Sequence, residues 1–255
     1  MQAGQSLSNA SWRQRTMLLA GLAGAILLAT SLVKGIPQPL AYHGFHDGRS
    51  FLGIPNFLNV VSNLPFLVIG LMGLGWLRAK PGPLGPELRA PYTIVFAGLA
   101  LTAFGSAYYH WAPDNQTLVW DRLPIAVSFM ALFAAVLAER VTPKAASTLW
   151  PLALFGAATV GYWHVVDDLR PYLVAQFLPV LPMPLILWLY PAKYSRGQDF
   201  LISIGFYVAA KVLEFQDGQI YAGLGQTLSG HTLKHLAAAG GAGWIYRMLV
   251  LRQRT

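Results

Sequence analysis

Apolar residues in this chain come in long blocks rather than in stripes. Eight such segments run at about 16–34, 57–77, 91–110, 121–139, 147–165, 171–190, 199–216 and 230–250. A soluble amphipathic helix is apolar on one face only. Blocks of roughly 18 or more apolar residues read instead as membrane-spanning helices, because that length crosses the hydrocarbon core of a bilayer. The breaks between blocks are rich in Pro and Gly, as in Lys80-Pro81-Gly82-Pro83-Leu84-Gly85-Pro86. The pattern predicts an all-α, multi-pass transmembrane helical bundle. The first block follows Arg13 and Arg15, is long for a signal peptide and has no clear small-x-small cleavage site after it, so it reads as a retained helix. No convincing internal repeat or low-complexity tail is visible.

Composition agrees with this class. Of 255 residues, 55% are hydrophobic and 11% charged, against about 25% charged in an ordinary soluble domain. The net charge of +8 is spread between apolar blocks without forming a patch, which argues against nucleic acid as a partner. With no cysteine, disulfides and thiolate metal ligands are excluded. The placement of the basic residues orients the bundle. With eight spans, twelve of them (Arg13, Arg15, Arg78, Lys80, Arg89, Arg140, Lys144, Lys193, Arg196, Arg247, Arg252 and Arg254) fall on one side. The other six (Lys34, Arg49, Arg122, Arg170, Lys211 and Lys234) lie on or near the opposite side. By the positive-inside rule both termini are then cytoplasmic. Seven spans would break the alternation unless the first segment were removed.

Histidines carry the candidate chemistry. His231 and His235 are four apart and share a helical face. His110 ends the third block on the same, outer side. Three imidazoles suit one zinc ion and leave a fourth position open, the pattern of a catalytic site. Ionisable groups within a membrane are costly and tend to be functional. His43, His46 and His164 also fall outside, so outer placement alone does not make a ligand; His164 is a remote candidate for a fourth one. Asp121 opens the fourth block at the same level, where it is either functional or an N-cap. Ser106, four residues before His110, is either functional or a small packing residue. Asn59, Ser62 and Asn63 form a polar cluster suited to interhelical hydrogen bonds. Lys211 and Glu214 are spaced to neutralise one another, and Lys234 is expected to snorkel to the headgroups.

At these residues the chain resembles the alkaline ceramidases, within the wider superfamily of adiponectin-receptor-type and haemolysin III-type membrane proteins. Asn56-Phe57-Leu58-Asn59-Val60-Val61-Ser62-Asn63 is similar to their first motif. Gly105-Ser106-Ala107-Tyr108-Tyr109-His110 with Trp120-Asp121-Arg122-Leu123-Pro124 is similar to their Ser…His…Asp motif, and Gly230-His231-Thr232-Leu233-Lys234-His235 to their closing His-x-x-x-His. The resemblance implies a seven-helix core over 56–250 holding one catalytic Zn2+ on His110, His231 and His235, with Ser106 and Asp121 at the remaining signature positions. The segment 16–34 is then an extra N-terminal helix, 1–15 a cytoplasmic arm and 251–255 a cytoplasmic tail. The eukaryotic ceramidases carry an acidic, calcium-binding segment before the first core helix. Here His43-Gly44-Phe45-His46-Asp47-Gly48-Arg49 stands there and Asn56 replaces an acidic residue, so the resemblance carries no calcium site across. The expected activity is hydrolysis of the amide of a ceramide-like lipid to a fatty acid and a sphingoid base, in a bacterial-type inner membrane with the site toward the outer side. Asp121 would move the proton and Ser106 would help hold the oxyanion. A phospholipid ester hydrolase, a receptor-like protein with structural zinc and a metal transporter are the alternatives, the last disfavoured by inner span halves that read as nearly free of polar ligands.

Overall fold

The computed structural model describes residues 11–79 and 82–255, and among these it is helical throughout, with two isolated bridges and no strand. Lys80 and the first ten residues of the expected 1–15 arm lie outside the described residues. The helices are α1 (Trp12–Leu32), α2 (Phe57–Val61), α3 (Leu64–Ala79), α4 (Pro86–Trp111), α5 (Asn115–Arg140) and α6 (Leu149–Val166). They are followed by α7 (Arg170–Phe177), α8 (Met183–Leu189), α9 (Asp199–Phe215), α10 (Asp217–Gly223) and α11 (Gly230–Leu251). Five stretches are long and apolar enough to cross a membrane: Trp12–Leu32, Phe57–Ala79, Pro86–Trp111, Asn115–Arg140 and Pro143–Val166. Many large apolar side chains face outward, among them Leu28, Phe104, Leu154, Val165 and Phe215. Such a surface suits lipid rather than water.

The eight expected helices are thus replaced by more and shorter ones. Segment 171–190 is two helices, α7 and α8, because Pro179 and Pro182 cannot continue the hydrogen-bond ladder. The short α10 fills part of the gap before the last block. Helix α1 begins at Trp12, where Ser11 and Gln14 form a capping box, so four residues of the expected arm are helical. The expected tail is docked: Arg252 is buried, Arg254 bridges to Tyr194, and the Gln253 amide donates to Ser195 Oγ at 2.9 Å. Helix α5 starts six residues before Asp121. Asp114 is its N-cap, accepting from the Thr117 amide at 2.6 Å while its own amide donates to Thr117 Oγ1. Asp121 is therefore an interior helix residue, and its reading as a cap is corrected.

Close helix approach builds the site end of the bundle. A Cβ on Gly105 would lie 2.0 Å from the Trp120 carbonyl oxygen, so only glycine lets α4 press against α5 there. That contact sets Ser106 beside Asp121. A Cβ on Gly230 would lie 2.2 Å from the Leu213 carbonyl oxygen, which seats the start of α11 on the end of α9. Helix α1 buries no residue and is held at its ends. Arg15 Nη1 donates to the Leu189 carbonyl at 2.7 Å, and Arg170 Nη1 to that of Val33 at 2.6 Å. Arg170 also grips Asp168, Nε donating to Oδ1 and Nη2 to Oδ2, and holds the pKa of its carboxyl at about 2.

The opposite end carries the apolar core, including Leu88, Tyr92, Phe96, Ile186, Phe200 and Met248. Within it lies an ionic cluster. Arg252 Nη1 meets Glu139 Oε2 at 2.6 Å, and Arg140 Nε lies 3.6 Å from Glu139 Oε1, all three side chains being almost wholly buried. The Arg252 guanidinium also sits 4.2 Å from the centre of the Tyr194 ring. Arg140 and Arg252, two of the basic residues used to orient the bundle, are buried. The partners of Arg252, Glu139 and Tyr194, lie far away in sequence.

Candidate active site

Helix α4 ends and helix α11 begins at the same end of the bundle, which brings the three histidines together. One nitrogen from each of His110, His231 and His235 lies within 4.8 Å of the others, and all three residues are buried. His110 Nε2 is 3.2 Å from His235 Nε2 and 3.4 Å from His231 Nε2. Zinc–nitrogen bonds of about 2.0–2.1 Å at a tetrahedral angle set nitrogens roughly 3.3–3.4 Å apart, so the donor set fits zinc in type and spacing. His110 turns Nε2 to the other two histidines and its Nδ1 away, and among the described residues no carboxylate joins the group. His164, the remote candidate for a fourth ligand, is exposed and outside it.

Polar residues hold the rings in place. Ser62 Oγ lies 2.7 Å from His235 Nδ1, leaving Nε2 to face the other histidines. Asn59 Oδ1 accepts from Thr232 Oγ1 at 2.8 Å, and Asn63 Nδ2 donates to the Asn59 carbonyl at 2.8 Å. The polar cluster of the second block therefore serves α11, Ser62 by touching a histidine and Asn59 and Asn63 by bracing from behind. Asn56 Nδ2 donates to the His110 carbonyl at 2.8 Å. Asp217 accepts from the His231 amide at 2.7 Å through Oδ1 and faces His46 Nδ1 at 3.0 Å through Oδ2. Phe45 sets its ring edge-on to both His110 and His231, with centroids 4.7 Å apart in each case. In the same loop Asp47 is gripped by the Arg49 Nε and Nη2 groups at 2.8 Å each, which holds its carboxyl below the usual range.

Ser106, Asp121 and His235 line one end of a cavity of about 400 Å³. Ser106 is within interaction range of the Asp121 carboxylate. Along α4, α5 and α11 the lining turns apolar, through Leu99 and Val95, Phe129 and Leu132, and Ala238 and Ile245. At 1.5 Å per residue these runs extend about 15 Å down the bundle. The arrangement can bind an amphiphile, with its polar group at the histidines and a chain in the apolar shaft.

Several cavity residues escaped the sequence. Lys234 does not snorkel outward: it turns into the cavity wall and pairs with Glu214 Oε1, while Lys211 meets Glu214 Oε2 at 3.0 Å. Tyr42 donates to Glu214 Oε1 at 3.1 Å. A signal for Lys234 existed, since it follows His231 by three and so shares its face. Arg122 is also buried on the cavity wall. It donates to Gln38 Oε1 at 2.7 Å and stacks on Trp163, 4.3 Å from the ring centre. Partners as distant as residues 38 and 163 leave no local pattern.

The family model described as Ceramidase matches residues 53–196. That is more than half of the chain, and it includes His110, Ser106 and Asp121. No curated protein matches the sequence. The chain belongs to the ceramidase family.

Proposed function

We propose that this ceramidase-family chain is a zinc-dependent intramembrane hydrolase that cleaves the amide of a ceramide-like lipid to a fatty acid and a sphingoid base. The observation that carries it is the cavity: Ser106, Asp121 and His235 stand at the polar head of an apolar shaft long enough for an alkyl chain. His110, His231 and His235 would hold the metal. A zinc ion there supplies Lewis acidity, polarising a carbonyl oxygen and making water nucleophilic near neutral pH.

The chain's own groups do the rest. A carboxylate oxygen of Asp121 takes a proton from the water that attacks the acyl carbon, then returns it to the leaving nitrogen, so water and amide become acid and amine. The Ser106 hydroxyl donates to the oxygen on which charge develops. Ser62 fixes the His235 ring through Nδ1. Phe45 covers one side of the histidines, and His235 lines the cavity, so a metal held by the three would be open to substrate from the cavity. The orientation we favour has both termini cytoplasmic and the histidine end toward the outer leaflet, on the placement of the basic residues.

The test is mass spectrometry of a lipid extract incubated with purified protein, with and without a chelator. Release of fatty acid and sphingoid base that stops with chelator is the expected result. Release of lysophospholipid instead would make the enzyme an esterase. No chelator-sensitive change in any lipid would remove the hydrolase reading.

A further inference from the structure

The apolar shaft below the histidines has a floor. On α4 its wall runs from Ser106 to Val95, on α5 from Asp121 to Leu132, and on α11 from His235 to Ile245. Helix α9 runs the other way: Lys211 is at the histidine level, joined to Lys234 through Glu214, and Phe200 is at the far end. At 1.5 Å per residue these four runs agree on a depth of about 15–16 Å. At that depth stand Met183, Phe200 and Ile245, all buried. They belong to one apolar cluster with Tyr92, Phe96 and Leu249. Behind it lies the buried ionic group, for the Arg252 guanidinium sits 5.5 Å from the centre of the Tyr92 ring and pairs with Glu139. A chain that reached past the floor would have to displace close-packed side chains and approach buried charge, and both are costly.

The two halves of an amide lipid differ in polarity, and so do the two levels of the cavity. The sphingoid half carries hydroxyls beside its nitrogen. The acyl half carries one polar atom, its carbonyl oxygen, at the reacting end. At the histidine level Tyr42, Lys211 and Glu214 stand on the wall and can bond hydroxyls. Below that level Thr102, Ser128 and Ser203 each donate their hydroxyl to a main-chain carbonyl, of Gly98, Val95 and Gly241. Those hydroxyls are spent on the helices, which leaves the shaft suited to a bare hydrocarbon.

We propose that the shaft is a ruler for the acyl chain, with Ile245, Phe200 and Met183 as its stop. This rests on the hydrolase reading above and names its substrate more closely. Each C–C bond of about 1.5 Å advances an extended chain roughly 1.25 Å, so the shaft takes an acyl chain of about 12–14 carbons.

The test gives the purified full chain, loaded with zinc, a series of ceramides on one sphingoid base: octanoyl, dodecanoyl, tetradecanoyl, hexadecanoyl and octadecanoyl. Between tetradecanoyl and octadecanoyl kcat/KM should fall at least about tenfold, the cost of overpacking a closed site. Ile245→Ala should move the fall toward longer chains. Ala242→Phe, on the shaft wall one turn nearer the histidines, should move it below dodecanoyl. Zinc content equal to wild type verifies that the variants are folded, and the wild-type series stands without them. Retention of the same free fatty acids, read by native mass spectrometry, needs no turnover and should fall at the same length. Equal kcat/KM and equal retention at every length, or a fall that neither folded variant moves, overturns the ruler while hydrolysis itself keeps the enzyme reading. A fall that follows the length of the sphingoid chain instead puts that chain in the shaft and overturns the assignment. Fatty acid retention that falls beyond tetradecanoyl, with no ceramide hydrolysed, upholds the ruler and removes the hydrolase reading.

Discussion

The two ends of this bundle bury polar groups in opposite ways. At one end Glu139 is clamped between Arg140 and Arg252, and Arg252 is packed on Tyr194. At the other, three imidazoles meet edge to edge, and among the described residues no carboxylate joins them. A buried carboxylate clamped by two guanidiniums, as Glu139 is, belongs to the fold. Lone pairs that converge on one point have no use for one another; they suit a cation. The contrast separates stability from chemistry within a single membrane protein, and it can be broken from either side.

The largest effect is expected at the histidines. Replacing His110, His231 or His235 by Ala should abolish zinc binding and hydrolysis together, measured by elemental analysis and lipid turnover. Thermal unfolding in detergent should shift only as far as zinc stabilises the wild type. Undiminished zinc in any one variant removes that residue from the site.

Next comes Asp121. Because Asp114 caps α5, Asp121→Asn leaves the helix start untouched. It should keep zinc and folding while lowering amide hydrolysis roughly 10²–10⁴-fold, the usual worth of a positioned general acid–base. Near-full turnover would move the proton chemistry elsewhere.

Comparable in energy but different in readout is Arg252→Met. It strands Glu139 in the interior and should cost about 3–5 kcal/mol of stability, seen as a lower unfolding temperature, with zinc per folded chain unchanged. Loss of zinc without loss of stability would erase the distinction between the two ends. The smallest effect is expected from Ser62→Ala. Removing the oxygen that orients His235 through Nδ1 should weaken zinc affinity about 10–100-fold, read by competition with a chelator, and leave the unfolding temperature of zinc-saturated protein near that of wild type.

Much of the histidine end was legible in the sequence. His231 and His235 share a face by spacing alone, and the order of motifs with Ser106, His110 and Asp121 carried the family. What was not legible depends on contacts across the bundle. The turn of Lys234 inward answers Glu214, twenty positions earlier. The buried state of Arg140 and Arg252 depends on Glu139, Tyr194 and the docked last residues. Phe45 lies in a loop whose closure onto the histidines has no periodic signal. Prolines at 179 and 182 did announce the break in the sixth block, yet the hydrophobicity of 171–190 masked it. The alternative reading of Asp121 as a cap arose because the apolar block begins there, while the helix begins earlier, at the polar turn Asp114–Thr117.

X-ray absorption at the zinc edge of the purified protein tests the central claim most directly. The account expects three imidazole nitrogens at about 2.0–2.1 Å and one further light ligand not supplied by the chain, with one imidazole contribution missing from any zinc that a single His→Ala variant retains. A protein without zinc, or a zinc closed by a fourth protein ligand, would contradict it.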